Sequence, residues 1–185
     1  MIPCYDRQGA NATLIYTTAG EVIADRRTVK WNLHRLARLF GADLQAIRQN
    51  YGSYLGCRQG IPLPLSAGLV LVSLKTRLPV GKNDGCYGYI NVPAIERVCP
   101  DKDCRDNCMI TLTGKQNLIC FYSCRTVHNK IRLAKIALDY YRQDRENPDI
   151  ASRLPVLFSP LWWKLIEDMI KTVARENGLP PPTRE

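Results

Sequence analysis

Apolar positions recur at helical spacing between Thr28 and Asn50. Val29, Leu33, Leu36, Phe40, Leu44 and Ile47 stand 4, 3, 4, 4 and 3 residues apart, one stripe of a helix with a 3.6-residue period. Arg27, Lys30, His34 and Arg38 fall on the opposite face. Gly41 interrupts the stripe and Asp43 follows it, a helix terminator and then an N-cap. The pattern predicts two helices joined by a tight turn at Phe40-Gly41-Ala42. Before them, Ala12 to Thr17 and Ala19 to Ile23 are short apolar runs flanking a turn, a hairpin signal. After them, Tyr51 to Gly60 holds three glycines and reads as a loop.

The pattern then changes to strands. Within Leu63 to Leu74, the run Leu69-Val70-Leu71-Val72 predicts a buried strand, and Cys86 to Val92 a second. Between them, Lys75 to Gly85 is a polar turn region. Met109 to Thr113 and Leu118 to Tyr122 predict two more strands around a hairpin, Thr113 to Asn117. Ser123 is placed to cap a helix from Cys124 to Tyr141, with Val127, Ile131, Ala134 and Leu138 on its apolar face. Arg145 to Ser152 is polar and contains Pro148, so it reads as a linker. Ser159-Pro160 starts a last helix lined by Leu161, Leu165, Met169 and Val173. Gly178 and the prolines that follow stop it.

The expected fold is α+β. It has a small, mostly antiparallel sheet, an N-terminal helical pair of helix-turn-helix-like spacing, a covering helix and a C-terminal helix. The expected organisation is a domain over 1–145, a linker over 146–158 and a helix with tail over 159–185.

Composition narrows the class. Of 185 residues, 45% are hydrophobic and 23% charged, which excludes a disordered tail, a collagen-like chain and a coiled-coil rod. No stretch of about 18 apolar residues predicts a membrane span. The start, MIPCYDRQGA, lacks the basic and apolar regions of a secretory leader, so a cytoplasmic protein is expected.

Charge points to partners. The 26 Lys+Arg exceed the 17 Asp+Glu, a formal net charge of +9. Between Arg26 and Arg58 there are seven basic residues, Arg26, Arg27, Lys30, Arg35, Arg38, Arg48 and Arg58, against one acid, Asp43. Ala37, Gly41 and Ile47 stand at i, i+4 and i+10. A bihelical DNA-binding motif needs a small residue at its crossing, a glycine at its turn and an aliphatic residue packing back. Gln45, Arg48, Gln49 and Asn50 would then face the bases. A second basic set sits on the turns of the expected sheet and the next helix: Lys75, Arg77, Lys82, Lys115, Arg125, His128, Lys130 and Arg132. Such side chains can anchor phosphates. Single surface cations also serve solubility alone, so the sets carry more weight than any member.

Eight cysteines are many for a reducing compartment. Cys99, Cys104 and Cys108 are the set whose spacing allows a zinc site, with Cys86, Cys120, Cys124 or His128 as a fourth ligand. Free thiols are the simpler expectation, since no CxxC pair is present. No cofactor is expected otherwise. There are two histidines, His34 and His128, and no glycine-rich phosphate loop, so catalysis is not expected.

The order of several short motifs resembles the ComK family of competence transcription factors of Gram-positive bacteria. These are Gly56-Cys57-Arg58-Gln59-Gly60, the strand and basic tract Val70 to Arg77, Asp84 to Ile90, the hairpin Ile110 to Lys115 and the helix start Ser123-Cys124-Arg125-Thr126. The resemblance covers about Leu36 to Leu138. Ile90 to Leu138 is also similar to the first half of the LytTR DNA-binding domain. Both resemblances imply a transcription factor, and the first an activator acting as an oligomer on AT-rich promoters.

The sequence thus predicts a bacterial regulator that binds double-stranded DNA. Lys75, Arg77, Lys82, Lys115, Arg125 and Lys130 are the candidate contacts, with Arg58 and Arg132 beside them and Arg35, Arg38 and Arg48 from the helical pair. Trp162, Trp163, Leu165 and Ile166 offer a surface for self-association. The alternatives are a zinc- or thiol-based redox sensor, or a non-enzymatic adaptor whose basic faces meet acidic partners.

Overall fold

The computed structural model describes residues 1–146 apart from 83, 102, 103 and 105. It is an α+β fold with three helices and three small antiparallel sheets among the described residues. The first sheet holds β1 (Ile2–Tyr5), β2 (Asn11–Tyr16) and β3 (Val22–Asp25), in that order. Its second hairpin is the one the apolar runs predict, in the register Tyr16↔Val22. The period-2 pattern did not reveal β1. It is four residues long and contains Pro3, which a strand tolerates at a sheet edge.

Thr28 caps α1 (Val29–Leu39) by accepting the Trp31 N–H, and Asp43 caps α2 (Leu44–Leu55) by accepting the N–H groups of Gln45 and Ala46. Between them Gly41 takes φ of 59°, the left-handed conformation that glycine adopts without strain. The Ala42 N–H then returns to the Ala37 carbonyl at 2.9 Å and closes the turn.

The loop expected from Tyr51 is instead the last turn of α2, which ends at the left-handed Gly56. Tertiary packing overrides glycine's poor helix propensity here. A Cβ on Gly52 would lie 2.9 Å from the Ile61 Cδ1 and 3.0 Å from the Cys57 carbonyl. Tyr51 is buried, with its ring edge-on to Tyr140 at 5.7 Å.

The second sheet runs β4 (Leu63–Ser66), β5 (Leu69–Lys75), β6 (Tyr87–Asn91). The third runs β7 (Ile95–Pro100), β8 (Cys108–Leu112), β9 (Asn117–Cys120). The β8–β9 hairpin matches the expectation, whereas β7 was not among the expected strands. Among the described residues, backbone bonds at a few points join the sheets. The Tyr89 N–H reaches the Met1 carbonyl at 2.7 Å, the Met1 amino group donates to the Tyr89 carbonyl at 3.0 Å, and the Phe121 N–H reaches Lys75 at 2.8 Å.

Strand β5 is apolar on both faces, and two cores form around it. Val70, Val72 and Leu74 point with Ile90, Ile110 and Leu118 into a core closed by Val127, Ala134 and Leu138 of α3 (Cys124–Glu146). Leu71 points the other way, to Leu33, Ala37 and Leu44 of the helical pair and to Leu63 and Leu65. Ser123 accepts the Thr126 N–H at the start of α3, and the helix continues past Tyr141 to Glu146. Near its far end, the Tyr141 hydroxyl and Arg142 bond to the carbonyls of Leu65 and Ala67. The linker beyond Glu146 and the C-terminal helix, with Trp162, Trp163, Leu165 and Ile166, lie outside the described residues.

Leu33 is 2% exposed and Leu39, on the same helix, 77%. Leu33→Ala is expected to lower stability by about 2–5 kcal/mol, and Leu39→Ala by less than about 0.5 kcal/mol, in urea unfolding followed by circular dichroism.

Candidate nucleic-acid interface

The helical pair turns its apolar sides inward and leaves a polar cleft between its outer faces. His34 and Arg38 come from α1, one turn apart, and Gln45, Arg48 and Gln49 from α2. All five are exposed. The cleft is placed by packing beneath it. Ala37 at the crossing is buried, and Leu44 and the partly buried Ile47 join the Leu33 cluster. Asp43, the one carboxylate on the cleft among the described residues, is engaged as the α2 cap, accepting from Gln45 N–H at 2.7 Å and Ala46 N–H at 3.3 Å.

His34 and Arg48 also border a second hollow of about 420 Å³, which extends past Lys30 onto the sheet at Tyr87 and Tyr89. Those two tyrosines, two residues apart on β6, share one face of the strand. They also line a third hollow, of about 290 Å³, closed by Tyr122 and by Lys130 of α3. No carboxylate lines the second or third hollow among the described residues. A nearly acid-free strip therefore runs from α2, across two exposed or half-buried aromatic rings, to α3.

The chain has no match among protein-family models, curated proteins or solved structures.

The expected DNA contacts divide into three groups. Arg38, Arg48 and Lys130 lie on the strip, and Lys75 adjoins it, paired in register with Tyr87. Arg58, Lys82, Lys115, Arg125 and Arg132 are exposed but line none of the three hollows. Lys115, at the β8–β9 hairpin tip, has φ of 61°, which is costly for a side chain with a Cβ. Arg35 lies away from the cleft, with its guanidinium 5.4 Å from the Trp31 ring that Arg27 covers at 3.9 Å.

Arg77 forms the third group and corrects the expectation. It is 8% exposed and faces the interior. Its Nε donates to the Gly85 carbonyl at 2.9 Å, Nη1 to the Cys4 carbonyl at 2.9 Å and Nη2 to the Asn11 Oδ1 at 2.6 Å. The guanidinium lies 4.3 Å from the Tyr5 ring centroid. It ties the loop after β5 to β1 and β2, and all three of its nitrogens are occupied. Asp84 completes this tie. The Tyr5 hydroxyl, the Gly81 N–H and the Asn11 amide donate to its carboxylate and hold its pKa well below the usual range.

The cysteines also regroup. Cys99 is registered with Met109, so the strand pleat sends the adjacent Cys108 to the opposite face. Cys104 is exposed. The three residues whose spacing suggested zinc are therefore not gathered. Cys108 is instead paired across the hairpin with Cys120, and Cys124 at the start of α3 adjoins them. Burial, then the neighbouring thiols, push the Cys108 pKa far up, and burial raises that of Cys120. Cys108 and Cys120 are buried packing thiols. Among the described residues, no group of three or more His, Cys, Asp or Glu is arranged to hold a metal.

Sequence reasoning noted Lys30 and His34 as a polar helix face but did not place them at a site. It missed Ser73, Tyr87, Tyr89 and Tyr122 altogether. The Tyr-Gly-Tyr alternation on β6 was the available signal, because strand period 2 puts both rings on one face.

Arg77→Met is expected to destabilise the fold by about 2–4 kcal/mol in urea unfolding, because it leaves two carbonyls and an amide oxygen unpaired. Arg58→Met, at an exposed position, is expected to change stability by less than about 0.5 kcal/mol.

Proposed function

We propose that this protein is a transcriptional regulator that binds double-stranded DNA, with α2 entering a groove and the flanking cations holding phosphates. One observation carries the reading. The outer face of the helical pair presents Gln45, Arg48 and Gln49 together with His34 and Arg38, and Asp43, its one carboxylate among the described residues, is engaged as a helix cap. The local geometry supports it. A small buried residue at the crossing, a left-handed glycine at the turn and an aliphatic residue packed back are what a bihelical reader requires.

Glutamine and arginine side chains at the start of a helix suit base edges, glutamine to adenine and arginine to guanine. Lys30, Arg38 and Lys75 flank them and suit the sugar-phosphate backbone. The ComK-like order of motifs is consistent with the same class of activity. The cations elsewhere on the surface add a general field that favours encounter with a polyanion.

Two measurements test the reading. Fluorescence anisotropy on mixed-sequence duplex DNA should show affinity falling with salt, with a log-log slope of about −3 to −5 for three to five neutralised phosphates. Arg38→Ala should reduce that slope by about 1. Selection from a random duplex pool should enrich a motif, and Gln45→Ala or Gln49→Ala should relax it at one position by about 1–3 kcal/mol with the slope unchanged. Affinity independent of salt, or an unaltered motif in both glutamine variants and in Arg48→Ala, would overturn the assignment.

A further inference from the structure

The third hollow has features that duplex binding by α2 does not use. It lies between the exit of α2, the face of β5–β6 opposite the larger core, and α3. Lys130 is half-buried there, its ammonium 5.8 Å from the Tyr122 ring centroid. Among the described residues this ammonium has no carboxylate or other hydrogen-bond acceptor, and the Ser73 hydroxyl on the same wall has no partner. An ammonium at the wall of a hollow with no counter-charge beside it leaves its three donors to an anionic ligand.

Room for the ammonium is made by Gly60, at φ of 64°, where any Cβ would collide with the Lys130 Nζ. The other polar groups are hydroxyls and an amide, which can donate to an oxyanion. The Tyr122 and Tyr87 hydroxyls lie 3.4 Å apart, and Ser73 and the Gln59 amide complete the wall. The Tyr122 hydroxyl donates to that of Tyr87, so the Tyr87 proton is the one that can turn to a ligand. Burial, and then the neighbouring Tyr87 hydroxyl, push the Tyr122 pKa up to about 12. A point-charge ammonium with several separate hydroxyls suits a tetrahedral oxyanion with many acceptor oxygens. A planar carboxylate is better matched by the arginine fork.

The hollow, at about 290 Å³, is larger than a phosphate ion and lies near the lower end of ligand-pocket sizes. Tyr87 and Tyr89 border the remaining space with ring surface on which a flat group can stack. We propose that this hollow is a binding site for a phosphomonoester of nucleotide size, with its phosphate on Lys130, Ser73 and the Tyr87 hydroxyl and its ring against Tyr87 or Tyr89.

The inference does not depend on duplex binding by α2, since Arg38 and Arg48 do not line the hollow. Isothermal titration calorimetry with adenosine monophosphate, adenosine and inorganic phosphate tests it on the full chain. Adenosine monophosphate should bind, and adenosine much more weakly. Lys130→Met should weaken the nucleotide about 10- to 100-fold, the loss of one charge-assisted hydrogen bond. Ser73→Ala and Tyr122→Phe, which remove single hydroxyls, should weaken it about 2- to 10-fold and serve if Lys130→Met does not fold. Arg48→Ala should leave nucleotide binding unchanged.

Equal binding of adenosine monophosphate by the wild type and by the lysine and hydroxyl variants would overturn the proposal. So would the absence of binding by both the nucleotide and inorganic phosphate. Saturating duplex DNA separates two sources of the phosphate. Displacement of the nucleotide would assign the hollow to a backbone phosphate of bound nucleic acid, and simultaneous binding to a free ligand.

Discussion

Strand β5 is buried on both faces, and the rest of the described structure is arranged around that constraint. A strand without a wet side needs a cover above and below it. Val70, Val72 and Leu74 obtain theirs from the β7–β8–β9 sheet and α3, and Leu71 from the helical pair. Each cover is itself amphipathic, so its polar side becomes the surface of the molecule. The outer face of α1 and α2 is basic because the inner face took the aliphatic residues. The cleft between the helices follows from how the strand beneath them is covered.

The two faces of β5 also change character along its length. Toward Lys75 the helical pair no longer covers it, and Ser73 and Lys75 are half-buried beside Tyr89 and Tyr87. The hollow at Lys130 opens where that cover stops. Hydroxyl and aromatic side chains occupy this border because they tolerate a wet edge over an apolar base. Arg77 acts at the end of the same strand. Its buried guanidinium satisfies carbonyls of the loop and of β1, which would otherwise be costly to bury. One basic tract, Lys75 to Arg77, thus contains one side chain beside the aromatic strip and one that closes the fold.

The helical pair was legible because its signals are local. The apolar stripe, the Thr28 and Asp43 caps and the Gly41 turn all act within a few residues. The extent of α2 was not legible, because the close packing that leaves no room for a Cβ at Gly52 comes from Ile61, nine positions on. Strand β1 has only four residues and β7, at six, is partly buried at only three positions out of alternation, so neither carries a strong period-2 pattern. The spacing of cysteines misled for a related reason. Sequence proximity grouped Cys99, Cys104 and Cys108, whereas hairpin register joins Cys108 to Cys120.

By itself, the sequence determined the α+β class, the two helices and their turn, the β8–β9 hairpin and the concentration of positive charge before Arg58. Each follows from periodicity, capping or composition, which neighbouring residues settle among themselves. Only the tertiary structure decided which cations lie together. Arg38, Arg48 and Lys130 reach one strip, Arg35 turns to Trp31 and Arg77 is buried. The reason is that a charge pattern along the chain carries no information about the partner across the core. Whether a basic side chain meets solvent, an aromatic ring or a buried carbonyl is fixed by strand register and helix packing between distant segments.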